Sequence, residues 1–595
     1  MRMRVADYIM LRLEEAGVRH VFQVTGRGAL FLSDALAKNE ILEGVSLHHE
    51  QSCAFAAVAY AERSRGLGAC MVSTGCAATN AMTGVLSAWQ DGVSCFFISG
   101  QNVLAETTRH TGIKLRTFGQ QEADIVSLVT PITKRAIMLE RAEDIGKVMD
   151  ELLLEAQEGR KGPVWLDVPL DIQSSMIDAS TLGRSAFSIE RPAVSHHLVQ
   201  SVINDLSKAK RPVVLIGKGV RLAGADMLLA SFVESWGVPL VYTPSAPDIY
   251  GACNELSIGS VGAMGCSRAG NFVVQNADYV LVLGSRLTSL VTGTDFCSFA
   301  RDAKISVVDI DLVEHSKKGI DIDIKIQADL CDFLSDLNEI PSVSVEKDWQ
   351  NKCKHWKKTF GYVEEDFCSK EKVDLYQLAD RLSRIFTDKG ALVTDSGLVE
   401  VILPSNMSFP NEVDAIHPAS QGAMGFALPA AIGAYYGGNG IVLAVIGDGS
   451  VMMNLQELES IRYQKLPIKI IVLNNNVYSI IRRRQKDLFR TRLIGTDPLN
   501  GVSSANFRKL AECFDFEYQR IEGVKELDQG LKSLFATNGP VLCEILGRED
   551  QGYIELGQAK SEISGRFVRR PLEDQTPFLP RELFLQEMII KPINQ

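Results

Sequence analysis

Two apolar runs in the last third of the chain, each followed at once by small polar residues, limit the possible folds most strongly. IVLAVIGDGS spans residues 441–450, and IKIIVLNNN spans residues 468–476. The stretch NLQELESIRYQKLP between them has the length and the apolar spacing of a crossover helix. Two apolar strands joined by a helix predict neighbours in a parallel sheet that is covered on both faces.

The same alternation of apolar runs and helical stretches recurs along the whole chain of 595 residues, which is long enough for several domains. We predict an α/β fold of three doubly wound parallel-sheet domains, at residues 1–185, 190–345 and 370–550. A charged stretch at 340–372 indicates a linker and a surface helix. Prolines in residues 551–595 predict an irregular tail. The apolar runs lie at 68–74, 94–100 and 162–169, then 211–219, 277–286 and 303–311, and finally 391–397, 441–450, 468–476 and 539–547.

Charge and composition exclude some classes of function. A formal net charge of −11 and basic runs as short as residues 482–484 argue against nucleic-acid binding. No apolar run reaches the roughly 20 residues that span a membrane as a helix. The N-terminal stretch predicts an amphipathic helix and not a signal peptide. The twelve cysteines form no C-x-x-C pair, so we expect a protein of the reducing cytoplasm.

Asp448 and Asn475 follow the two strands described first, and both should lie at the carboxyl edge of the sheet, where ligands bind. A carboxylate and an amide oxygen suit Mg²⁺, which also takes phosphate oxygens. Gly447 and Gly449 would let the backbone approach a diphosphate. A helix beginning near Asn454 would direct its N-terminus towards the negative charge. The sequence therefore predicts a magnesium diphosphate site.

The segment 447–477, with GDG at its start and NNN near its end, resembles the cofactor signature of thiamine diphosphate enzymes. The resemblance implies that the side chains of Asp448 and Asn475 and the backbone carbonyl of Val477 bind magnesium. It also implies that Gly447, Gly449 and Ser450 contact the cofactor.

The stretch from LHHEQ to ISGQ, residues 47–101, resembles the pyrimidine-binding domain of acetohydroxyacid (acetolactate) synthases. That resemblance assigns Glu50 as the catalytic glutamate, which exchanges a proton with the aminopyrimidine ring, and Gly26 as a cofactor contact. The apolar run AFAAVAYA after Glu50 predicts poor solvation of its carboxylate. FGQQEADIV at 118–126 resembles the segment whose glutamine reaches the reacting carbon from a neighbouring subunit. Gln121 is the counterpart of that glutamine, with Gln120 as the alternative.

QGAMGFALPAAIGA at 421–434 resembles the segment that carries the apolar residue between the two cofactor rings. The resemblance places Met424 in that role and Gln421 beside the cofactor. Because Glu50 falls in the first predicted domain and Met424 in the third, we expect a homodimer or homotetramer with active sites between subunits.

The stretch 259–289 resembles the central domain of the same family, which holds FAD in acetohydroxyacid synthases and pyruvate oxidases. Arg286 is the counterpart of a flavin-contacting arginine. In many relatives this domain holds no flavin, so FAD and a purely structural domain are both open.

The residues after LNNN depart from acetohydroxyacid synthases, which have a Gln-Trp-Gln run there where this chain reads YSIIRRRQKDLF. Arg484 replaces the tryptophan and favours a phosphate-bearing or polyhydroxylated acceptor, unless it is only a surface charge. The C-terminal tail also resembles the tails of acetolactate-synthase-like proteins that are associated with bacterial surface polysaccharides.

We therefore expect a carboligase that decarboxylates a 2-oxo acid, pyruvate foremost, and adds the two-carbon unit to a second carbonyl. In the first hypothesis that carbonyl belongs to a keto-sugar nucleotide. The alternatives are an authentic acetolactate synthase, a flavin-dependent pyruvate oxidase whose tail touches a membrane, and a protein that only binds the cofactor.

Overall fold

Three six-stranded parallel sheets, each with helices on both faces, form the body of the molecule in a computed structural model. This confirms the predicted fold class. The structure describes residues 1–182, 191–361, 364–560, 565 and 567–593, so the predicted boundary at 185–190 lies outside the described residues. Among the described residues, no helix is both long and apolar enough to cross a bilayer.

The first sheet has the strand order β3-β2-β4-β5-β7-β6, and β1 and β8 form a separate antiparallel ribbon. The strands of the first domain are β1 Arg2–Arg4, β2 His20–Gln23, β3 Glu43–Ser46, β4 Gly68–Val72, β5 Cys95–Gln101, β6 Arg135–Met138, β7 Pro163–Pro169 and β8 Met176–Asp178. Its helices are α1 Val5–Glu15, α2 Leu30–Lys38, α3 Glu50–Ser64, α4 Cys76–Asn80, α5 Met82–Asp91, α6 Thr108–Thr111, α7 Ile125–Val129, α8 Ile145–Glu155 and α9 Leu170–Ser174.

The middle sheet has the order β11-β10-β9-β12-β13-β14. Its strands are β9 Pro212–Ile216, β10 Leu240–Tyr242, β11 Ser257–Ser260, β12 Tyr279–Leu283, β13 Lys304–Asp309 and β14 Ile324–Gln327. Its helices are α10 His196–Lys208, α11 Gly219–Ala223, α12 Asp226–Trp236, α13 Arg268–Asn276, α14 Ser289–Thr292, α15 Leu330–Asn338 and α16 Lys347–Thr359.

Helix α16 lies within the charged stretch 340–372 and is the surface helix predicted there, but one of its faces is buried. Its Trp349 and Trp356 are buried in the core of the middle domain, and only its remaining faces carry the charges. The lysines and glutamates dominate the composition of the stretch and conceal this apolar face.

The third sheet has the order β16-β15-β17-β18-β20-β19. Its strands are β15 Gly390–Thr394, β16 Val413–Ile416, β17 Ile441–Gly447, β18 Lys469–Asn474, β19 Glu517–Ile521 and β20 Val541–Leu546. Its helices are α17 Leu375–Ile385, α18 Leu398–Asn406, α19 Ala427–Gly437, α20 Glu457–Tyr463, α21 Ser479–Phe489, α22 Phe507–Cys513 and α23 Val524–Ala536.

The first and third domains share one apolar core, in which α3 lies against α19. The helices approach closely because small residues line the contact: a methyl group at Gly433 would lie 2.0 Å from the carbonyl oxygen of Ala56. Phe55 and Phe426 meet edge to face at a ring distance of 5.1 Å. This contact sets the relative position of the two domains that carry the predicted cofactor residues.

The tail contains a hairpin, β21 Gln558–Lys560 and β22 Phe567–Arg569, and the short helix α24 Arg581–Glu587. Buried polar side chains attach it to the middle domain. Gln575 accepts a hydrogen bond from Asn271 at 2.7 Å, and Glu573 accepts one from Gln275 at 2.7 Å. The tail is irregular, as its prolines predict, but it is packed and not a loose extension.

Candidate active site

In the third sheet the strand order reverses between β15 and β17, and a crevice for ligands forms at such a switch point. Asp395 follows β15 directly, and Asp448 follows β17. Both carboxylates therefore lie where the topology of a parallel sheet favours ligand binding. The sequence identified Asp448 but missed Asp395, although the run ALVTDSG ends in the same way as IVLAVIGDGS.

Asp448 is buried, and two backbone amides fix its carboxylate: Oδ1 accepts from Gly449 at 2.9 Å and Oδ2 from Asn476 at 2.8 Å. Burial raises the pKa of Asp448 to about 6. The amide of Asn476 belongs to the loop after β18, so a single carboxylate joins the two strand ends. This is the neighbouring arrangement that the sequence predicts.

Asn475 and Val477 lie in that same loop. The Asn475 Nδ2 donates to Ser479 Oγ at 2.6 Å, and its Oδ1 accepts from the Val477 amide at 3.3 Å. The structure therefore brings together the three predicted metal ligands, Asp448, Asn475 and Val477.

The oxygen donors of this loop fit Mg²⁺. Among the described residues there is no group of three or more His, Cys, Asp or Glu side chains that could hold a metal by itself. One carboxylate and one amide oxygen leave most of an octahedral shell to phosphate and water oxygens, which is the usual partition for protein-bound magnesium.

The absence of a side chain serves a different purpose at each of the two glycines of the GDG motif. A methyl group at Gly447 would meet nothing within 4 Å, so this side of the loop is open to a ligand. At Gly449 it would lie 1.8 Å from Cε1 of Tyr478, so the glycine makes room for that ring. The predicted helix start near Asn454 is displaced: a 3-10 turn spans Val451–Met453, and α20 begins at Glu457.

Asp395 ties the GDG loop to the segment that carries Met424. Its carboxylate accepts from the hydroxyl of Ser450 at 2.7 Å and from the amides of Gly425 and Ala427 at 3.1 Å each. Burial raises its pKa to about 7. The structure thus places Met424, which is half-buried, next to a segment anchored to the predicted diphosphate loop.

Glu50 begins α3 and is half-buried, so it is less enclosed than the apolar run after it predicts. Its Oε2 accepts from Asn80 Nδ2 at 2.9 Å. Asn80 ends α4, which starts beside Gly75. The backbone of Gln121 packs on Gly75, where a methyl group would lie 1.6 Å from the Gln121 carbonyl oxygen. Gln121 is exposed with a φ of 62°, whereas Gln120 accepts a hydrogen bond from Arg27.

Gln421 connects the third domain to the first. Its Nε2 donates to the carbonyl oxygen of Thr83 at 2.9 Å. Its Oε1 is buried and has no hydrogen-bond partner among the described residues, so it can accept a hydrogen bond from a ligand. Thr83 lies one helical turn beyond Asn80, the partner of Glu50.

A single chain therefore brings the start of α3 against the Met424 segment. The expectation of active sites between subunits rests on the separation of Glu50 and Met424 along the sequence. Since the shared core joins their domains within one chain, that separation does not by itself require a second subunit. The oligomeric state stays a prediction.

Gly26 lies at the switch point of the first sheet, between the ends of β2 and β4. A methyl group there would lie 2.5 Å from the Cβ and the Oγ of Ser73. The structure places Gly26 at the carboxyl edge of the sheet, and its close contact with the neighbouring strand end already requires a glycine.

A cavity of about 550 Å³ lies at the switch point of the middle sheet, beyond the ends of β9 and β12. Gly217, Gly219 and Gly284 form its floor, and Arg286 lies on its wall. Arg286 donates to the hydroxyl of Ser420, at 2.5 Å, so the cavity reaches the residue that precedes Gln421.

Arg484 lies on α21, which begins two residues after Val477. The two arginines that precede it form ion pairs. Arg482 pairs with Asp497 at 3.1 Å. Arg483 pairs with Glu555 at 2.5 Å, and its guanidinium lies over the ring of Tyr553. Arg484 is 3.6 Å from Glu555, and its side chain is 56% exposed, the largest fraction of the three.

Comparison with protein families gives three matches. The thiamine pyrophosphate enzyme C-terminal TPP binding domain matches residues 395–545, the N-terminal TPP binding domain matches 3–128, and the central domain of the same enzymes matches 199–337. Each match falls within the part of the chain that forms one of the three domains.

Several acetolactate synthases are similar to this chain over nearly its whole length. Acetolactate synthase 1, chloroplastic, of Zea mays is 30% identical over 563 residues, 91% of this chain and 85% of that protein. The acetolactate synthase isozyme 1 large subunit of Escherichia coli (strain K12) is 28% identical over 564 residues, 94% and 97% of the two chains. The large subunit of Lactococcus lactis subsp. lactis (strain IL1403) is 29% identical over 555 residues, 91% and 92%.

Proposed function

Because the chain belongs to the acetolactate synthase-like family of thiamine pyrophosphate enzymes, we propose that it is a carboligase that decarboxylates pyruvate and adds the two-carbon unit to a second carbonyl. The proposed acceptor is a keto-sugar nucleotide. One observation supports the reaction class: hydrogen bonds join the GDG loop, the Met424 segment and the helix of Glu50. Asp395 and Asn454 make these hydrogen bonds.

Thiamine diphosphate, when bound, supplies a carbon nucleophile for the 2-oxo acid and accepts the electron pair released with CO₂. We propose that Asp448, Asn475 and the carbonyl of Val477 hold Mg²⁺ on the diphosphate. Gly447, Gly449 and Ser450 surround the diphosphate, and Met424, Gln421 and Gly26 orient the rings. Glu50 exchanges a proton with the pyrimidine ring, and Gln121 contacts the reacting carbon.

Replacement of Glu50 by glutamine keeps the shape of the side chain and its contact with Asn80 but removes the group that exchanges the proton. We expect Glu50→Gln to slow pyruvate decarboxylation by about 10²–10⁴-fold, the usual contribution of a positioned acid or base. Steady-state kinetics measures this, and calorimetry should show thiamine diphosphate binding near that of the wild type.

Glu43→Gln is the matched control, because Glu43 is an exposed carboxylate of the same domain, with 62% of its side chain accessible. A Glu50→Gln variant that turns over at the rate of this control would refute the assigned role. A protein that only binds the cofactor would instead show no pyruvate turnover in the wild type or in the control.

We propose Arg484 as the residue that binds a phosphate of the acceptor. Its exposure and its place just beyond Val477 support this role. An arginine matches phosphate geometry with two parallel hydrogen bonds, and a lost charge-assisted bond costs about 1.5–3 kcal/mol. We therefore expect Arg484→Gln to raise the KM for a 4-keto-sugar nucleotide by about 10–100-fold while pyruvate consumption without acceptor is unchanged.

The measurement is mass spectrometry of the products formed from pyruvate, with and without the sugar nucleotide, followed by kinetics of the variants. Lys486→Gln is the matched control, because Lys486 is an exposed cation of the same helix. If acetolactate were the sole product under all conditions, the acceptor proposal would fail. The runner-up, an authentic acetolactate synthase, fits the curated relatives and would then stand.

We propose that the cavity of the middle domain binds FAD. Its volume, its place at a switch point and the glycines of its floor suit a dinucleotide. We expect the purified protein to show flavin absorbance and to release FAD on denaturation. Protein without a flavin spectrum that gains none on incubation with FAD would contradict this.

A flavin-dependent pyruvate oxidase with a membrane-touching tail has less support. Phe584 of α24 is buried, and Glu587 accepts hydrogen bonds from His355 and Trp356 at 2.9 Å each, so the helix packs on the middle domain.

A further inference from the structure

We infer that Asn454 and Glu457 are positioning residues that hold Glu50 in place, an inference that rests on the proposed role of Glu50. Asn454 lies in the connection from β17 to α20, and Glu457 is the first residue of α20, so both fall within the segment 447–477 but outside its GDG and NNN motifs. Both are buried, at 1% and 0% exposure, although each carries a polar side chain. A buried polar group must find partners, so the partners show what the residue holds.

Asn454 joins three segments of the site. Its Nδ2 donates to the carbonyl oxygen of Gly425 at 2.9 Å and to Gln51 Oε1 at 3.1 Å. Its Oδ1 accepts from the hydroxyl of Ser52 at 3.1 Å. Gln51 and Ser52 directly follow Glu50 on the first turn of α3, and Gly425 directly follows Met424. One amide therefore anchors the C-terminal side of Glu50 to the Met424 segment.

Glu457 anchors the other side of Glu50. Its carboxylate accepts from the backbone amide of His48 at 3.2 and 3.4 Å and from the hydroxyl of Ser460 at 2.7 Å. Ser460 Oγ also lies 2.9 Å from His48 Nδ1. Glu457 thus holds the backbone two residues before Glu50, and Asn454 holds the side chains of the two residues after it.

Glu50 is itself only half-buried. Among the described residues, its carboxylate has one hydrogen-bond partner, Asn80. Its position consequently depends on the backbone at the start of α3. Proton exchange requires heavy atoms within hydrogen-bond reach, and a misplacement of about 1 Å can cost about 100-fold in rate. Loss of either anchor should therefore act on the proton transfer more than on cofactor binding.

The test uses the full chain with thiamine diphosphate and Mg²⁺ and measures how fast the bound cofactor exchanges its C2 proton with D₂O, by quenched-flow NMR. We expect Asn454→Ala and Glu457→Ala to slow this exchange by about 100-fold. Affinity for thiamine diphosphate, from calorimetry, should stay near that of the wild type. Glu457→Gln should restore most of the rate, because its amide oxygen still accepts from the His48 amide.

Glu459→Ala is the matched control, because Glu459 lies on the same short helix and pairs on the surface with Arg462 at 2.6 Å. Asn454→Asp provides a second test, because the substitution hardly changes the volume of the side chain. It keeps the oxygen that accepts from Ser52 but loses both hydrogen bonds that Asn454 donates. It should also exchange slowly, even if Asn454→Ala does not fold.

Wild-type exchange rates in Asn454→Asp and Glu457→Ala would overturn the inference, whatever their melting temperatures, because the two residues would then only stabilise the fold. The exchange needs no 2-oxo acid. A wild-type protein that exchanges the proton but does not decarboxylate pyruvate would therefore refute the proposed substrate and leave the positioning roles intact.

Discussion

The close packing of α3 against α19 is the contact on which the candidate site depends. It is possible because alanines line α3 and alanines and glycines line α19, and a methyl group at Gly433 would collide with the backbone of α3. The contact places the start of α3 against Asn454 and Glu457, in the segment that follows β17. Further along the same helix, Glu62 pairs with Lys218 at 2.6 Å, and Lys218 lies between the glycines on the floor of the middle cavity. One helix therefore touches all three domains.

The sheet topology explains why the predicted residues converge. Each sheet has a reversal of strand order, between β2 and β4, between β9 and β12 and between β15 and β17, and the predicted residues Gly26, Arg286 and Asp448 lie just beyond these three points. Parallel strands end at one edge, so residues far apart in sequence meet there without any local signal. The chemistry of the family is thus carried by loops, while buried strands supply the fixed frame.

Much of the fold and of the candidate site could be predicted from the sequence. Central strands such as β17 and β18 are continuous apolar runs, and the GDG motif marks the end of one of them. Short edge strands such as β3, β16 and β19 carry exposed or polar residues and give no comparable pattern. Asp395, Asn454 and Glu457 were missed because their importance comes from partners remote in sequence. The burial of the α16 tryptophans was hidden in the same way by the charges around them.

The central claim is that the ends of β17 and β18 form a magnesium and diphosphate site, and a calorimetric titration with thiamine diphosphate tests it most directly. The titration compares the wild type and Asp448→Ala, each with Mg²⁺ and with a chelator. We predict saturable binding to the wild type with Mg²⁺, and affinity at least about tenfold weaker when either the metal or the carboxylate is removed. Equal affinity in all four titrations, or no binding to the wild type, would contradict this account.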